Sequence, residues 1–122
     1  MSQSRTAAAN ATLVLAHTGE NRIKNIQVRQ RTFDAPVLHL QMFNAVAPTV
    51  GTTAPTDVIQ IPAGREGLQH VDVKAIFAGK DGGKRYGTAL SYAVTTTHDG
   101  STAPDAGDEP EVIINYEPLT YV

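Results

Sequence analysis

The sequence contains no cysteine and no tryptophan, and other aromatic residues are scarce. Without cysteine the chain forms no disulfide bond and no thiolate metal or redox site. Aromatic residues make up only 6% of the chain, a poor supply for a surface that stacks on bases or sugar rings. The first apolar run, residues 13–16, is too short for a signal peptide or a membrane span. We therefore expect a protein that stays soluble where it is made and that does not contact a membrane.

Neither sign of charge dominates the sequence. Ten basic residues stand against 12 acidic ones, which gives a formal net charge of -2 and a pI near 6.0. Nucleic-acid-binding domains carry a basic excess that attracts phosphates, so this balance argues against a nucleic-acid partner. At 122 residues the chain is long enough for one domain with an ordinary hydrophobic core.

Apolar and polar residues alternate along much of the chain, whereas no window shows the spacing of an amphipathic helix. Alternation of this kind, interrupted by turn-forming residues, indicates short strands. We predict an all-β fold, a single β-sandwich or small jelly-roll-like domain over residues 11–122, preceded by a flexible N-terminal arm at residues 1–10. The predicted strands are residues 12–17, 22–33, 37–44, 57–61, 68–77, 88–97 and 111–117.

The two runs at residues 22–33 and 37–44 lead to more specific predictions. Ile23 is out of phase with Ile26, so a β-bulge near Lys24, or a later strand start, would restore the alternation. Only a short break separates the two runs, and we predict that they pair as a hairpin.

The stretch at residues 48–64, PTVGTTAPTDVIQIPAG, is stiffened by three prolines. Each proline fixes its own φ and disfavours helix at the preceding residue. We predict that this stretch is a cross-over that carries the chain from one sheet to the other. Gly51 and Gly64 are the positions in it that we expect to need a positive φ.

Two loop-like segments resemble ligand-binding loops only at first sight. A Walker A loop needs Gly four residues before its Gly-Lys pair and a hydroxyl residue after the lysine, whereas AGKDGGK at residues 78–84 begins with Ala78 and is followed by Arg85. The acidic segment at residues 98–110 lacks the ligand spacing of an EF-hand. We predict that residues 78–87 form a basic hairpin tip and that residues 98–110 form a solvated loop.

The four histidines fall on different predicted elements. His39 and His70 each lie on the polar face of an alternating strand, where they could lie close together and hold a metal as a pair. Two imidazoles without a third ligand make a weak site, so surface or subunit-interface histidines are the favoured interpretation. No nucleophile with an adjacent base is evident. We therefore predict no enzymatic activity, no cofactor and no bound metal.

Two groups of motifs follow one another between residues 43 and 116. Phe43 and Asn44 precede APTVGTTAP at residues 47–55, then VIQI and PAG; later, AVTTT leads through DGSTAPDAGD at residues 99–108 into an alternating strand that ends at Tyr116. In this order, over roughly residues 23–116, the chain resembles small bacteriophage virion proteins of the β-sandwich decoration, or cement, type. It departs from them at residues 75–87, AIFAGKDGGKRYG, where such proteins often have a compact Gly-Phe-x-x-Gly strand entry.

The resemblance implies a non-enzymatic structural protein that binds the outside of the major capsid lattice as a homotrimer and stabilises the head. It implies a location on the capsid surface of the virion, after synthesis in the host cytoplasm, with the major capsid protein and further copies of the chain as partners. One alternative is a tail, baseplate or head-fibre module. Another is a host-surface carbohydrate-binding module, for which Tyr86, Tyr121 and Phe43 are the aromatic candidates.

Residues expected at the surface supply the candidate partner contacts. Apolar outer positions, among them Ile113, leave area for a partner to cover, and the arm could add a strand to a neighbour. The basic hairpin tip is a further contact loop. The candidate contacts are Thr12, Leu13, Val37, Phe43, Lys80, Lys84, Arg85 and Tyr86.

Overall fold

A computed structural model describes residues 2–30, 32, 35–63, 70–72 and 84–119, with the backbone alone for residues 70–72. Within these ranges the chain forms nine β-strands and no helix, so they contain no helix able to cross a membrane. The predicted all-β fold is confirmed. The strands are β1 (Ser2–Thr6), β2 (Val14–Thr18), β3 (Asn21–Arg29), β4 (Leu38–Phe43), β5 (Asp57–Ile61), β6 (His70–Asp72), β7 (Lys84–Tyr86), β8 (Ala89–Thr95) and β9 (Glu111–Pro118).

The strands pair in a nested order, the first with the last. β1 pairs with β9, β2 with β8, β3 with both β6 and β7, and β4 with β5, all antiparallel. Two further pairings complete a first sheet with the order β1-β9-β3-β6, in which β7 also joins β3, and a second sheet with the order β2-β8-β4-β5. A long antiparallel ribbon wrapped into two facing sheets in this way is a jelly roll.

β3 contains the bulge that the sequence predicts near Lys24. Its register against β9 shifts between Ile23 and Asn25. Ile23 before the shift, and Ile26 and Val28 after it, are all fully buried. The extra residue therefore turns both halves of the strand to the core with the same face.

The core lies between the two sheets and draws alternate residues from both. Tyr92 on β8 is buried there, and its hydroxyl lies 2.8 Å from Ser4 Oγ and 2.7 Å from Thr6 Oγ1 on β1. Removing these side chains from water supplies the main driving force for the fold. The buried cluster comprises Ala9, Ile23, Ile26, Val28, Leu38, Leu40, Met42, Ile59, Ile61, Tyr86, Leu90, Tyr92, Val94, Val112, Ile114 and Tyr116.

A polar cluster links the two sheets between β5 and β7. Asp57 Oδ1 accepts a hydrogen bond from Lys84 Nζ at 2.6 Å, and Asp57 Oδ2 accepts one from Tyr86 OH at 2.6 Å. Burial, together with the hydrogen bond and the negative charge of Asp57, raises the pKa of Tyr86, so the phenol remains a donor. Because β5 belongs to the second sheet and β7 to the first, this cluster fixes one sheet to the other.

Two predicted connections are wrong. β3 and β4 belong to different sheets, so they do not form a hairpin. β4 and β5 pair directly, and residues 44–56 are therefore a loop within one sheet rather than a cross-over between sheets. The first prediction assumed that the sequence neighbours β3 and β4 pair, whereas a jelly roll pairs early strands with late ones. The second assumed that a long proline-containing connection changes sheets, whereas β4 and β5 are the innermost pair of the ribbon.

The N-terminal residues form a strand, not the flexible arm that the sequence suggests. β1 pairs with β9 from Ser2, opposite Tyr116, to Thr6, opposite Val112. Its sequence, SQSRT, contains no apolar residue, so hydrophobic alternation could not reveal it. Main-chain pairing and hydroxyl contacts hold it instead. β7 likewise forms within residues predicted to be loop. Of the predicted strand at residues 68–77, only the backbone of β6 is described.

Candidate interaction surface

The two sheets present outer faces of different construction. Among the described residues, the strands themselves form the outer side of the first sheet, and we call this side the strand face. The second sheet is overlaid on its outer side by the loops at residues 44–56 and 96–103, and we call this side, with its two loops, the loop face.

The first of these loops is tied down onto β8 as soon as it leaves β4. Ser91 Oγ donates to the backbone carbonyl of Ala45 at 2.7 Å. Asn44 Oδ1 accepts from the backbone N–H of Thr88 at 2.8 Å and of Ala89 at 3.2 Å. The loop therefore folds back over the sheet instead of projecting from it.

The second loop is held by a single buried amide. Gln41 points to the outer side of β4, yet its side chain is fully buried. Its Nε2 donates to Thr95 Oγ1 at 2.6 Å, to the Gly100 carbonyl at 2.9 Å and to the Thr97 carbonyl at 3.4 Å. Thr95 Oγ1 in turn donates to the Thr97 carbonyl at 2.6 Å. Because this side-chain amide forms hydrogen bonds to both β8 and the loop, it fixes the loop against the sheet.

The two loops pack against each other at a glycine. Gly51 has a φ of +90°, and a Cβ built there would lie 2.8 Å from Ser101 Cβ. Both the left-handed backbone and the close approach require glycine. The prediction for Gly51 is confirmed, while Gly64 lies outside the described residues. The motif-bearing stretches at residues 47–55 and 99–108 are thus neighbours in space.

All four large apolar side chains that the described residues expose lie on the loop face. Leu15 on β2 is opposite the outward-pointing Ser91, and Val46, 41% exposed, belongs to the first loop. Val37 and Val58 each adjoin an inward-pointing residue of β4 or β5 and so point outward. Residues 44–56 contain no charged side chain. Exposed apolar groups gathered on one face, with an uncharged loop beside them, mark a surface suited to a protein partner.

The strand face is polar, and its side chains bond to one another across the strands. Gln3 Nε2 donates to Asn115 Oδ1 at 3.1 Å, and Asn115 Nδ2 donates to Asn25 Oδ1 at 2.7 Å, which links β1, β9 and β3 in one row. Beside this row, Arg5 Nη2 lies 2.6 Å from Glu111 Oε2. Cross-strand pairs of this kind stabilise the sheet and leave little apolar area for a partner.

Five of the eight candidate contacts lie at least partly at the surface. Val37 is exposed on the loop face, and Thr12 and Leu13, exposed and half-buried respectively, precede β2. Lys84 and Arg85 on β7 each bond a carboxylate of the same chain. Lys80 lies outside the described residues.

Two of the candidate contacts are corrected by the structure. Phe43 points to the outer side of the second sheet but is only 1% exposed, because the loop face covers it. Tyr86 is fully buried and donates to Asp57. Neither ring is free to stack on a sugar, and Tyr121 lies outside the described residues. Ile113, expected at an outer apolar position, is half-buried on the strand face.

The structure pairs the histidines differently from the prediction. His39 on β4 and His70 on β6 belong to different sheets and so do not share a surface. His39 instead lies beside His98, with ring centroids 6.3 Å apart. Burial, and secondarily the charge of His98, lower the pKa of His39. The described part of the chain brings no three His, Asp or Glu side chains together as a metal site.

The sequence did not single out Gln41, which holds the second loop. The alternating pattern of β4 places it on the polar side, where a solvent-facing residue is the ordinary interpretation. Its one distinguishing signal is that it is an uncharged amide at the centre of a strand whose outward neighbours include Phe43. That combination indicates a covered outer face.

Comparisons with protein-family models, with curated proteins and with solved structures found no match to this chain. The jelly roll itself serves viral capsid proteins, lectins and cupins, so the fold alone does not select a function. The choice of function therefore depends on how the side chains are distributed over the two faces.

Proposed function

We propose that this chain is a non-enzymatic virion structural protein of a bacteriophage, a decoration or cement protein that binds the outside of the major capsid lattice as a homotrimer. The loop face is its attachment surface. The observation that carries the proposal is that every large apolar side chain exposed by the described residues lies on that face.

Two of the stretches that resemble decoration proteins also contribute to this surface. The first motif stretch, residues 47–55, and the second, residues 99–108, meet where Gly51 packs on Ser101. A resemblance carried by two separate stretches gains weight when both contribute to one surface. It then concerns a shared contact region, not two unrelated turns.

The loop face is ordered before any partner binds. In the first loop the backbone N–H of Thr52 and of Thr53 donate to the Thr49 carbonyl at 3.0 and 2.8 Å, and Thr49 N–H donates to Thr53 Oγ1 at 2.9 Å. In the second, Thr96 N–H donates to the Thr102 carbonyl at 3.0 Å. A surface that is already ordered loses little conformational entropy on binding, which suits a protein that stabilises a rigid shell.

Co-sedimentation of the purified chain with heads and with tails of the phage that encodes it tests the proposal. We expect binding to heads, and a solution mass three times that of the 13.0 kDa chain. Val46→Asp places a charge on the loop face, and we expect it to weaken head binding by about tenfold or more, because an unpaired charge has to be desolvated.

Asn25→Asp is the matched control, since it adds the same charge to the strand face and its oxygen still accepts from Asn115. We expect it to bind heads like the unchanged chain. Binding to tails alone would favour a tail, baseplate or fibre module. Equal losses in the two variants would remove the loop face as the attachment surface.

A further inference from the structure

Among the strands of the first sheet whose side chains are described, only the N-terminal strand β1 contributes no residue to the buried apolar cluster. Its inward-pointing side chains are Ser2, Ser4 and Thr6, and the hydroxyls of Ser4 and Thr6 bond the hydroxyl of Tyr92. Its outward-pointing Gln3 and Arg5 bond residues of β9. Polar contacts of this kind cost little to break, because water replaces them.

The chain is anchored immediately after β1. Ala9 is 2% exposed, and its N–H donates to the Pro110 carbonyl at 2.8 Å. The carbonyl of Asn10 accepts from Val94 N–H at 2.8 Å. Between β1 and this anchor stand only Ala7 and Ala8, in a tight turn. They form a hinge on which β1 can swing away while the rest of the jelly roll stays in place.

The site that β1 fills is specific for this strand. It consists of the free edge of β9, the Tyr92 hydroxyl, the Asn115 amide and the Glu111 carboxylate. A copy of β1 from a second chain would make the same contacts in the same register. Exchange of an identical element between chains is a low-cost route to an oligomer. A short hinge favours exchange, because it leaves the strand few ways to fold back onto its own chain.

We propose that β1 is exchanged between copies of this chain, so that each β1 pairs with β9 of a neighbour and three such exchanges close a ring. This inference builds on the proposed homotrimer and gives its subunit contact. The occupant of the β9 edge in the assembled protein is the β1 strand of a second copy. The loop faces of all three copies then remain free for the capsid.

Disulfide trapping tests the exchange directly, since the chain has no cysteine of its own. Gln3 and Asn115 are opposite each other in the β1–β9 ladder, and their side chains touch at 3.1 Å. In the double variant Gln3→Cys/Asn115→Cys, we expect oxidation to convert most of the protein into covalent dimers and trimers on non-reducing denaturing gels. The two single variants are the controls. A closed covalent trimer is the expected end product.

Disulfides confined to single chains in the assembled protein, or a protein that stays monomeric both in solution and on heads, would overturn the exchange. Should the first pair fold poorly, Arg5→Cys/Ile113→Cys probes the next outward pair of the same ladder. Inserting Gly-Gly-Ser between Ala7 and Ala8 relaxes the hinge, and we expect it to shift the disulfides toward single chains. Head binding of the same variants separates the two proposals. If variants with only intrachain disulfides still bind heads, the strand exchange is wrong, whereas the decoration role is unaffected.

Discussion

The strand face and the loop face are built on the same jelly roll by opposite means. On the strand face, polar side chains bond one another sideways, as in the row from Gln3 through Asn115 to Asn25. On the loop face, polar groups of the sheet form hydrogen bonds to the loops above them, and the first loop turns small uncharged residues and exposed Val46 to the outside. The polar side chains of the strand face therefore find hydrogen-bond partners within that face, whereas the loop face leaves apolar area for a partner.

Two glutamines show the difference most directly. Gln27 on β3 and Gln41 on β4 both lie on central strands and both point outward. Gln27 is half-buried on the strand face, whereas Gln41 is fully buried beneath the loop face. These identical side chains at equivalent places therefore have different roles, because only Gln41 holds a loop.

The largest expected effect comes from replacing these two glutamines in turn. Gln41→Leu removes the donor to the buried Thr95 Oγ1 and to the Gly100 carbonyl, and we expect the loss of these bonds to cost about 2–3 kcal/mol in the free energy of unfolding. Gln27→Leu on the strand face is expected to change it by less than about 0.5 kcal/mol. Urea unfolding of both variants measures the difference. Equal losses would mean that the faces are not built differently.

A second test concerns the contact between the two loops. Gly51→Ala forces a left-handed alanine and an overlap with Ser101, and we expect a loss of about 2 kcal/mol. Gly107 also has a positive φ, +94°, but open space around its Cβ position, so Gly107→Ala isolates the backbone cost at about 1 kcal/mol. Adding Ser101→Gly to Gly51→Ala should recover the difference. No recovery would show that the loops do not touch there.

On the strand face, the expected losses are smaller. Asn115→Ala breaks both bonds of the amide row, which we expect to cost about 1 kcal/mol because the groups released can reach water. Arg5→Gln removes an exposed ion pair and should cost about 0.5 kcal/mol or less, a loss that 1 M salt abolishes. Thermal unfolding at two salt concentrations measures both. A loss for Arg5→Gln that is independent of salt would contradict an ion-pair role.

The smallest effect is a pH dependence at the rim of the loop face. His39 lies opposite Gln60 on β5 and Thr95 on β8 and beside His98, which is itself 3.6 Å from Asp99. The folded pKa of His39 lies below its unfolded value of 6.5, so the unfolded chain binds the extra proton first. Stability is therefore complete above pH 6.5 and falls slightly as the pH drops below it. We expect His39→Gln to reduce this dependence of stability on pH in denaturant titrations. An unchanged dependence would mean that another group causes it.

Local patterns in the sequence predicted the local features of the fold. The alternation of Leu38, Leu40 and Met42 located β4, and the phase slip after Ile23 located the bulge. Both signals depend on the burial of one face, which the sequence records residue by residue. The strand β1 left no such record, because its inward positions are Ser2, Ser4 and Thr6.

The same patterns could not predict which strands pair or which residues the loops cover. Alternation shows that β3 and β4 each have a buried face, but it does not show that they belong to different sheets. It equally marks Phe43 as an outer residue without showing the loop that buries it. Both depend on contacts between residues far apart in the chain. The glycine at position 51 was the exception, since its required φ is a local property.

Hydrogen–deuterium exchange of the chain, free and bound to heads, tests the central claim that the loop face is the attachment surface. We expect amides of residues 44–56 and 96–103 to exchange about tenfold more slowly on heads, while the outward-facing positions of β3 and β9 keep their rates. Protection confined to β3 and β9, with the two loops unchanged, would contradict the account.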